Sequence, residues 1–412
     1  MTRRRRRSAA GRAVLTVVTA FGVLAGAALA GAAPAGAASA GTAIAPGVTY
    51  RQFDLPAAAG TTHAHLLTVD LGDPRVRVGL LRPGAVAARA TVSQMANAAR
   101  AVAGVNGDFF DITETQHPGV DPTGASVGPA VASGRVLKAA VPDGQRFGPA
   151  LPPGTDTEDV LGVGTDHRAR LDRLTLTGSV TTPAGRLPLK GLNQYALPEN
   201  SVGAYTSDWG DASRERAVCG TDTDRGAGCG AETYEVTVRG GWVVSVADAP
   251  GGGAIPAGTT VLLGREEGAR RLRALAVGDA VSVTHRLAAA DSRVAYAFAL
   301  GGFPVLRDGV PLAGLNDTTS AVRTVVGFDD GGRRLLILAL DGAVAYRSGL
   351  TVAEEATAMR SLGATDAFNL DGGGSTEMVT RDAGAAAVTV RNHPSGGAER
   401  PVANGVGVFA RG

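Results

Sequence analysis

Three aspartates stand where a side chain could do chemistry. Asp108 lies in Val-Asn-Gly-Asp-Phe-Phe (105–110), Asp341 directly follows the apolar run Leu335–Leu340, and Asp371 lies in Asn-Leu-Asp-Gly-Gly-Gly-Ser-Thr (369–376). Two carboxylates flanking a glycosidic bond are the usual equipment for its hydrolysis. These three are the candidates, and the sequence does not say which two pair. The same oxygens suit a hard cation such as calcium or magnesium, although no contiguous calcium-loop signature accompanies them. Gly372, Gly373 and Gly374 let a backbone approach a ligand closely. With Ser375 and Thr376 they would offer successive N–H groups to an anionic oxygen. Asn106 and Asn369 share the two aspartate turns. Arg323 interrupts a strand-like run, Ala-Val-Arg-Thr-Val-Val, and a bidentate contact with phosphate or carboxylate would satisfy it there. Each residue also has a plainer reading: turn-forming aspartates, a glycine-rich hairpin, a water-facing arginine.

Other chemistries lack their residues. Neither G-x-G-x-x-G nor Gly-Lys-Ser/Thr is present. His63-Ala64-His65 has close spacing but no third ligand nearby, and reads as an alternating strand. Cys219 and Cys229 are the only cysteines. In an exported chain they read as a local disulfide, closing a Gly/Asp-rich loop and stabilising the fold by about 2–3 kcal/mol.

The elements that must hold these residues are partly legible. Thr91 with Gln94 forms a capping box. Met95, Ala99 and Val102 share a helical face, Gly104 stops that helix, and a strand runs into Asn106. Thr351 with Glu354 repeats the capping box. Val352, Ala356, Met359 and Leu362 form a buried stripe, Gly363 ends it, and a strand over 367–370 runs into Asp371. The two segments thus share a plan ending in Asn-x-Asp, by distant duplication or by chance. Upstream, 49–81 alternates as a β region. Val322–Phe328 and Leu335–Leu340 read as a hairpin whose second arm is central, being apolar on both faces. Residues 160–290 read as many short strands, with a hairpin turning at Gly240-Gly241 and a short helix around Leu272 and Leu275. The fold class expected is α+β, a β-rich mixed-sheet core with a few packed helices and a β-rich insertion.

The N-terminus reads separately. Arg3–Arg7 precede an apolar run to about Ala30 and small residues to Ala40, the layout of a secretory signal over 1–40 for Sec or twin-arginine export. The whole chain is formally +2. Residues 1–40 hold six arginines and no acid, so the remainder is −4 and lacks the basic stripe of a nucleic-acid binder. An N-terminal β region at 41–100 then precedes a domain at 101–412 with its insertion at about 160–290. The exported protein would keep no membrane span.

Taken in order, Val-Asn-Gly-Asp-Phe-Phe (105–110), Gly-Gly-Phe-Pro-Val-Leu (301–306), Val-Arg-Thr-Val-Val-Gly (322–327), Leu-Asp-Gly (340–342) and Asn-Leu-Asp-Gly-Gly-Gly-Ser-Thr (369–376) resemble the phosphodiester glycosidase family. Arg400 and Asn404, in Arg-Pro-Val-Ala-Asn, resemble its C-terminal element and join the substrate-binding candidates. The resemblance spans about residues 100–410. It implies hydrolysis between an anomeric carbon and a phosphodiester oxygen; with the secretory signal, the expectation is a secreted hydrolase acting on a glycan or glycopolymer. Many members of the family carry Gly-Gly-Phe-Phe where this chain has Gly-Asp-Phe-Phe. The rival classes are an ordinary O-glycosidase and a non-catalytic glycan-binding module of the cell envelope. The second would display exposed aromatic platforms, and aromatics are 4% of this chain.

Overall fold

The Leu335–Leu340 run is apolar on both faces, and the fold buries both. In the computed structural model, which describes residues 41–329 and 331–411, strand Arg334–Leu340 lies inside an eight-stranded sheet between Thr62–Asp70 and Thr324–Phe328. Strand Asp366–Asn369 follows on the far side of Thr324–Phe328, then Phe303–Arg307. A five-stranded sheet places Ala103–Asn106 between Met378–Thr380 and Gly405–Ala410. Leu67, Ile337, Val326 and Phe368 from the first sheet pack with Val105, Met378 and Val406 from the second in one apolar core. The expected secretory signal over 1–40 lies outside the described residues.

Two more sheets complete the chain. One holds Asp159–Gly164, Ala169–Thr182 and Tyr296–Gly301 with shorter strands; the other holds Thr233–Arg239 and Thr259–Arg265. The expected hairpin at Gly240-Gly241 forms between Thr233–Arg239 and Trp242–Ala247, and both glycines take positive φ. Neighbouring strands are antiparallel throughout the described residues except Gly191–Leu192, which runs parallel to its partner. Strands take up 39% of the described residues and helices 9%, which makes the fold β-rich.

Both capping boxes form, over helices Val92–Ala99 and Val352–Ser361. The first helix ends earlier than its sequence suggests. Arg100, not Gly104, takes the left-handed conformation, with φ 56°, and closes it. Val92, Met95 and Ala96 are its buried face, while Ala99 is exposed. Gly104 is a strand residue. A Cβ there would lie 2.7 Å from the Leu81 side chain, so the glycine serves close strand packing rather than a helix stop.

Candidate active site

The two strand-to-turn segments with a common plan end against each other. Ala103–Asn106 and Asp366–Asn369 belong to different sheets, yet the Asn106 amide donates to the Asp371 carbonyl at 2.6 Å and the Asp371 N–H donates to the Gly107 carbonyl at 2.9 Å. Asn106 Oδ1 accepts from the Thr324 hydroxyl at 2.7 Å and from the Glu377 N–H at 3.2 Å. Asn404 Oδ1 accepts the Asp108 N–H at 3.0 Å. A Cβ at Gly107 would stand 2.3 Å from that oxygen, so only glycine fits. Asn106 and Asn404 are therefore buried staples joining the two turns.

The joined turns gather charge. Asp108 is buried, and its Oδ2 accepts from the Gly128 N–H at 2.6 Å. Burial raises its carboxyl; Lys138, the Gly128 N–H and Arg146 oppose that shift, while Asp371 adds to it. Lys138 is equally buried and donates to the carbonyls of Val127 (3.1 Å), Ala139 (2.7 Å) and Gly128. Three donated bonds use all three ammonium protons, although burial lowers its pKa against the pull of Asp108. Arg146 lies over the rings of Phe109 and Phe303, at 4.4 and 5.4 Å, and donates to the Pro149 carbonyl. Burial brings its pKa down to about 10, with Asp108 and Asp371 among the groups opposing that. Asp371 is partly exposed, and its Oδ1 accepts from the Gly372 N–H at 2.9 Å. Its carboxyl is pushed up to about 6 by burial, against the Ser375 hydroxyl, the Gly372 N–H, Arg400 and Arg146. Exposed Arg400 donates to the Ser375 hydroxyl at 3.3 Å, and a Cβ on Gly374 would collide with its guanidinium at 2.2 Å.

Several buried polar atoms here have no partner within the chain: Asp108 Oδ1, the second terminal nitrogen of Arg146, both amide atoms of Asn369, and Thr376 Oγ1. Folded proteins pair nearly all such atoms, so this grouping beside the Asn-x-Asp turns makes them the candidate site. The floor beneath Asp108 is bare backbone. A Cβ on Gly128 would be 2.6 Å from the Gly301 Cα, and one on Gly301 would be 2.6 Å from Asp108 Oδ2.

Other sequence candidates take different places. The glycine triplet does not offer a row of open N–H groups. Those of Gly372, Gly373, Ser375 and Thr376 go to Asp371 Oδ1, Val322, Gly372 and Gly373 respectively. Arg323 runs beside the triplet, but its side chain donates to the carbonyls of Leu350 and Thr319, both at 3.0 Å, and stands 4.0 Å from buried Glu355. Asp341 is buried. Its Oδ2 accepts from the rings of His65 (3.2 Å) and His393 (2.9 Å) and from the His393 N–H, and its Oδ1 from the Ala343 N–H. Burial alone would raise its carboxyl, but these donors outweigh it and hold the pKa below the ordinary value. Tyr50 extends this chain of contacts, its hydroxyl 2.7 Å from His65 Nδ1.

Both Asp341 oxygens accept hydrogen bonds within the chain. Among the described residues, the side chains grouped closely enough to share a metal are His117, Cys219 and Cys229, and the two sulfurs are already joined as the expected disulfide.

Sequence reading missed Lys138 and Arg146, which lie in no motif. One signal was available: Lys138 is one of only two lysines in an arginine-rich chain.

Residues 232–409 match the family model for phosphodiester glycosidases. No curated protein matches the chain. A hypothetical protein from Synechocystis shares the fold with a TM-score of 0.67 at 20% identity, over 89% of this chain. This chain spans 62% of that protein's length. A Burkholderia pseudomallei protein described as exported gives 0.64 at 24% identity, over 85% of this chain and 74% of its own. The catalytic domain of zebrafish N-acetylglucosamine-1-phosphodiester alpha-N-acetylglucosaminidase, auto-inhibited by its pro-peptide, overlaps 91% of this chain and 87% of its own. Its TM-score is 0.44 and its identity 14%, too loose an overlap to build on.

Proposed function

We propose, from a chain whose residues 232–409 match the phosphodiester glycosidases, that this protein is an exported hydrolase of sugar-1-phosphodiesters. The observation that supports it best is the meeting of Asp371 with two arginines, Arg146 and Arg400, at turns where buried polar atoms lack partners. A phosphodiester needs cations for its oxygens and a carboxylate beside its anomeric carbon. A phosphomonoester leaves well without being protonated, so charge stabilisation outweighs general-acid help.

In this reading the planar forks of Arg146 and Arg400 hold the phosphate oxygens. Asp371, the more accessible carboxylate, takes a proton from the water that attacks the anomeric carbon. The carbon–oxygen bond to phosphorus breaks, and sugar and phosphomonoester separate. Asp108 is too deeply buried to touch substrate. Burial keeps Asp371 basic enough to accept a proton near neutrality, and Lys138 balances the charge of Asp108. The local disulfide and the signal-like N-terminus support export.

The test compares a methyl sugar-1-phosphodiester with the matched aryl glycoside, using protein lacking residues 1–40. Release of sugar from the phosphodiester alone is expected. Equal rates on both would make it an ordinary O-glycosidase; binding of glycans without turnover on either would make it a binding module.

A further inference from the structure

Next to Arg146 lies a loop that the proposed reaction does not use. Residues 219–229 are closed by the Cys219–Cys229 disulfide and precede the family match, which begins at residue 232. Besides contacts with His117, Glu199 and Arg265, several of them meet the segment 144–147. The Gly144 N–H donates to the Asp222 carbonyl at 3.0 Å, and the Gln145 amide donates to the Thr221 carbonyl. Arg225 donates to the Arg146 carbonyl at 2.9 Å, and its guanidinium lies 4.0 Å over the Phe147 ring. Loop and segment are in tight contact: a Cβ on Gly144 would be 2.3 Å from the Thr223 Cα, and one on Gly220 would be 2.1 Å from Gln145 Nε2.

The base of the loop is anchored too. Buried Arg216, paired with Glu114, donates to Gln145 Oε1 at 2.9 Å and to the Cys219 carbonyl at 3.2 Å. By contrast, the Arg146 side chain makes one hydrogen bond, to the nearby Pro149 carbonyl, and leaves a terminal nitrogen without a partner. Arg146 also lines a cleft of about 560 Å³ between this loop and the proline-rich run 149–153. The loop therefore fixes the backbone of a residue that keeps one buried donor without a partner.

We infer that the disulfide-closed loop 219–229 positions Arg146 for phosphate, with Arg225 as the positioning residue. This rests on the reading of Arg146 as a phosphate ligand. Moving a ligand by about 1 Å can cost up to about a hundredfold, so the loop acts on affinity without touching substrate.

The experiment titrates inorganic phosphate into the protein lacking residues 1–40 by calorimetry and measures hydrolysis of the methyl sugar-1-phosphodiester. Arg225→Ala is expected to weaken phosphate binding and raise KM about tenfold, with kcat within about threefold and the melting temperature within a few degrees. Arg225→Lys should recover most of that loss, because one donor to the Arg146 carbonyl suffices. The double variant Cys219→Ser, Cys229→Ser should weaken phosphate binding likewise. Phosphate binding unchanged in Arg225→Ala but lost in Arg146→Ala would overturn the positioning role and leave the phosphate reading intact. Absence of phosphate binding by the unmutated protein would overturn both.

Discussion

Asp371 and Asp341 follow strands of the same sheet, separated only by Thr324–Phe328, and each precedes a glycine. Their surroundings make them opposites. Asp341 accepts four hydrogen bonds and has its pKa lowered. Asp371 sits near another carboxylate, accepts few bonds, and is pushed up to about 6. In the proposed reaction, the aspartate that donors saturate is a structural fastener, and the one they do not is the proton acceptor.

The largest effect should come from Asp371→Asn. Removing a general base costs about 10²–10⁴-fold in rate, and kcat on the phosphodiester measures it. The same variant should gain stability. An aspartate raised in the folded state costs stability once pH exceeds its folded value near 6, and that cost disappears below its unfolded value near 4. At pH 8, Asp371→Asn should therefore unfold about 1–2 kcal/mol later than the unmutated protein, and by pH 3 the gap should close. A near-normal rate in this variant would erase the contrast between the two aspartates.

Arg146→Ala and Arg400→Ala come next, raising KM by about tenfold or more each, since a charge-assisted bond to phosphate contributes about 1.5–3 kcal/mol. Steady-state kinetics on the phosphodiester read this directly. Asp341→Asn should do the reverse of Asp371→Asn. Its lowered carboxyl contributes stability above the ordinary carboxylate value, lost as pH falls through the folded value. The variant should unfold about 1–3 kcal/mol earlier at pH 7 and keep a rate within about threefold of normal; chemical denaturation and kcat on one preparation separate the two. Smallest of all should be the change of rate in Arg323→Lys. Its nitrogens bind main-chain carbonyls, so a lower melting temperature with kcat nearly unchanged is expected.

Much of this was readable from sequence because it is local. The capping boxes at Thr91 and Thr351, the hairpin at Gly240-Gly241 and the central strand Arg334–Leu340 all depend on neighbours within a few residues. The pairing of the two Asn-x-Asp turns was legible only as a shared plan, since nothing local says that two sheets bring them together. Gly104 was misread because a helix-stopping glycine and a strand glycine pressed against Leu81 look alike in one dimension. Lys138 and Arg146 escaped for the same reason: their roles come from what packs over them. Asp341 and Asp371 could not be ranked, because His65 and His393 reach Asp341 from distant segments.

The backbone floor beneath Asp108 limits how this site can change. Gly128 and Gly301 stand so close that a single added methyl would meet main chain on one side or the carboxylate on the other. Evolution proceeds through small, tolerated substitutions, and this wall tolerates none. Under the proposed function, a change of preference for the sugar or its phosphate-linked neighbour would have to be made at the rim, in residues 149–153 and around Arg400, with the floor kept.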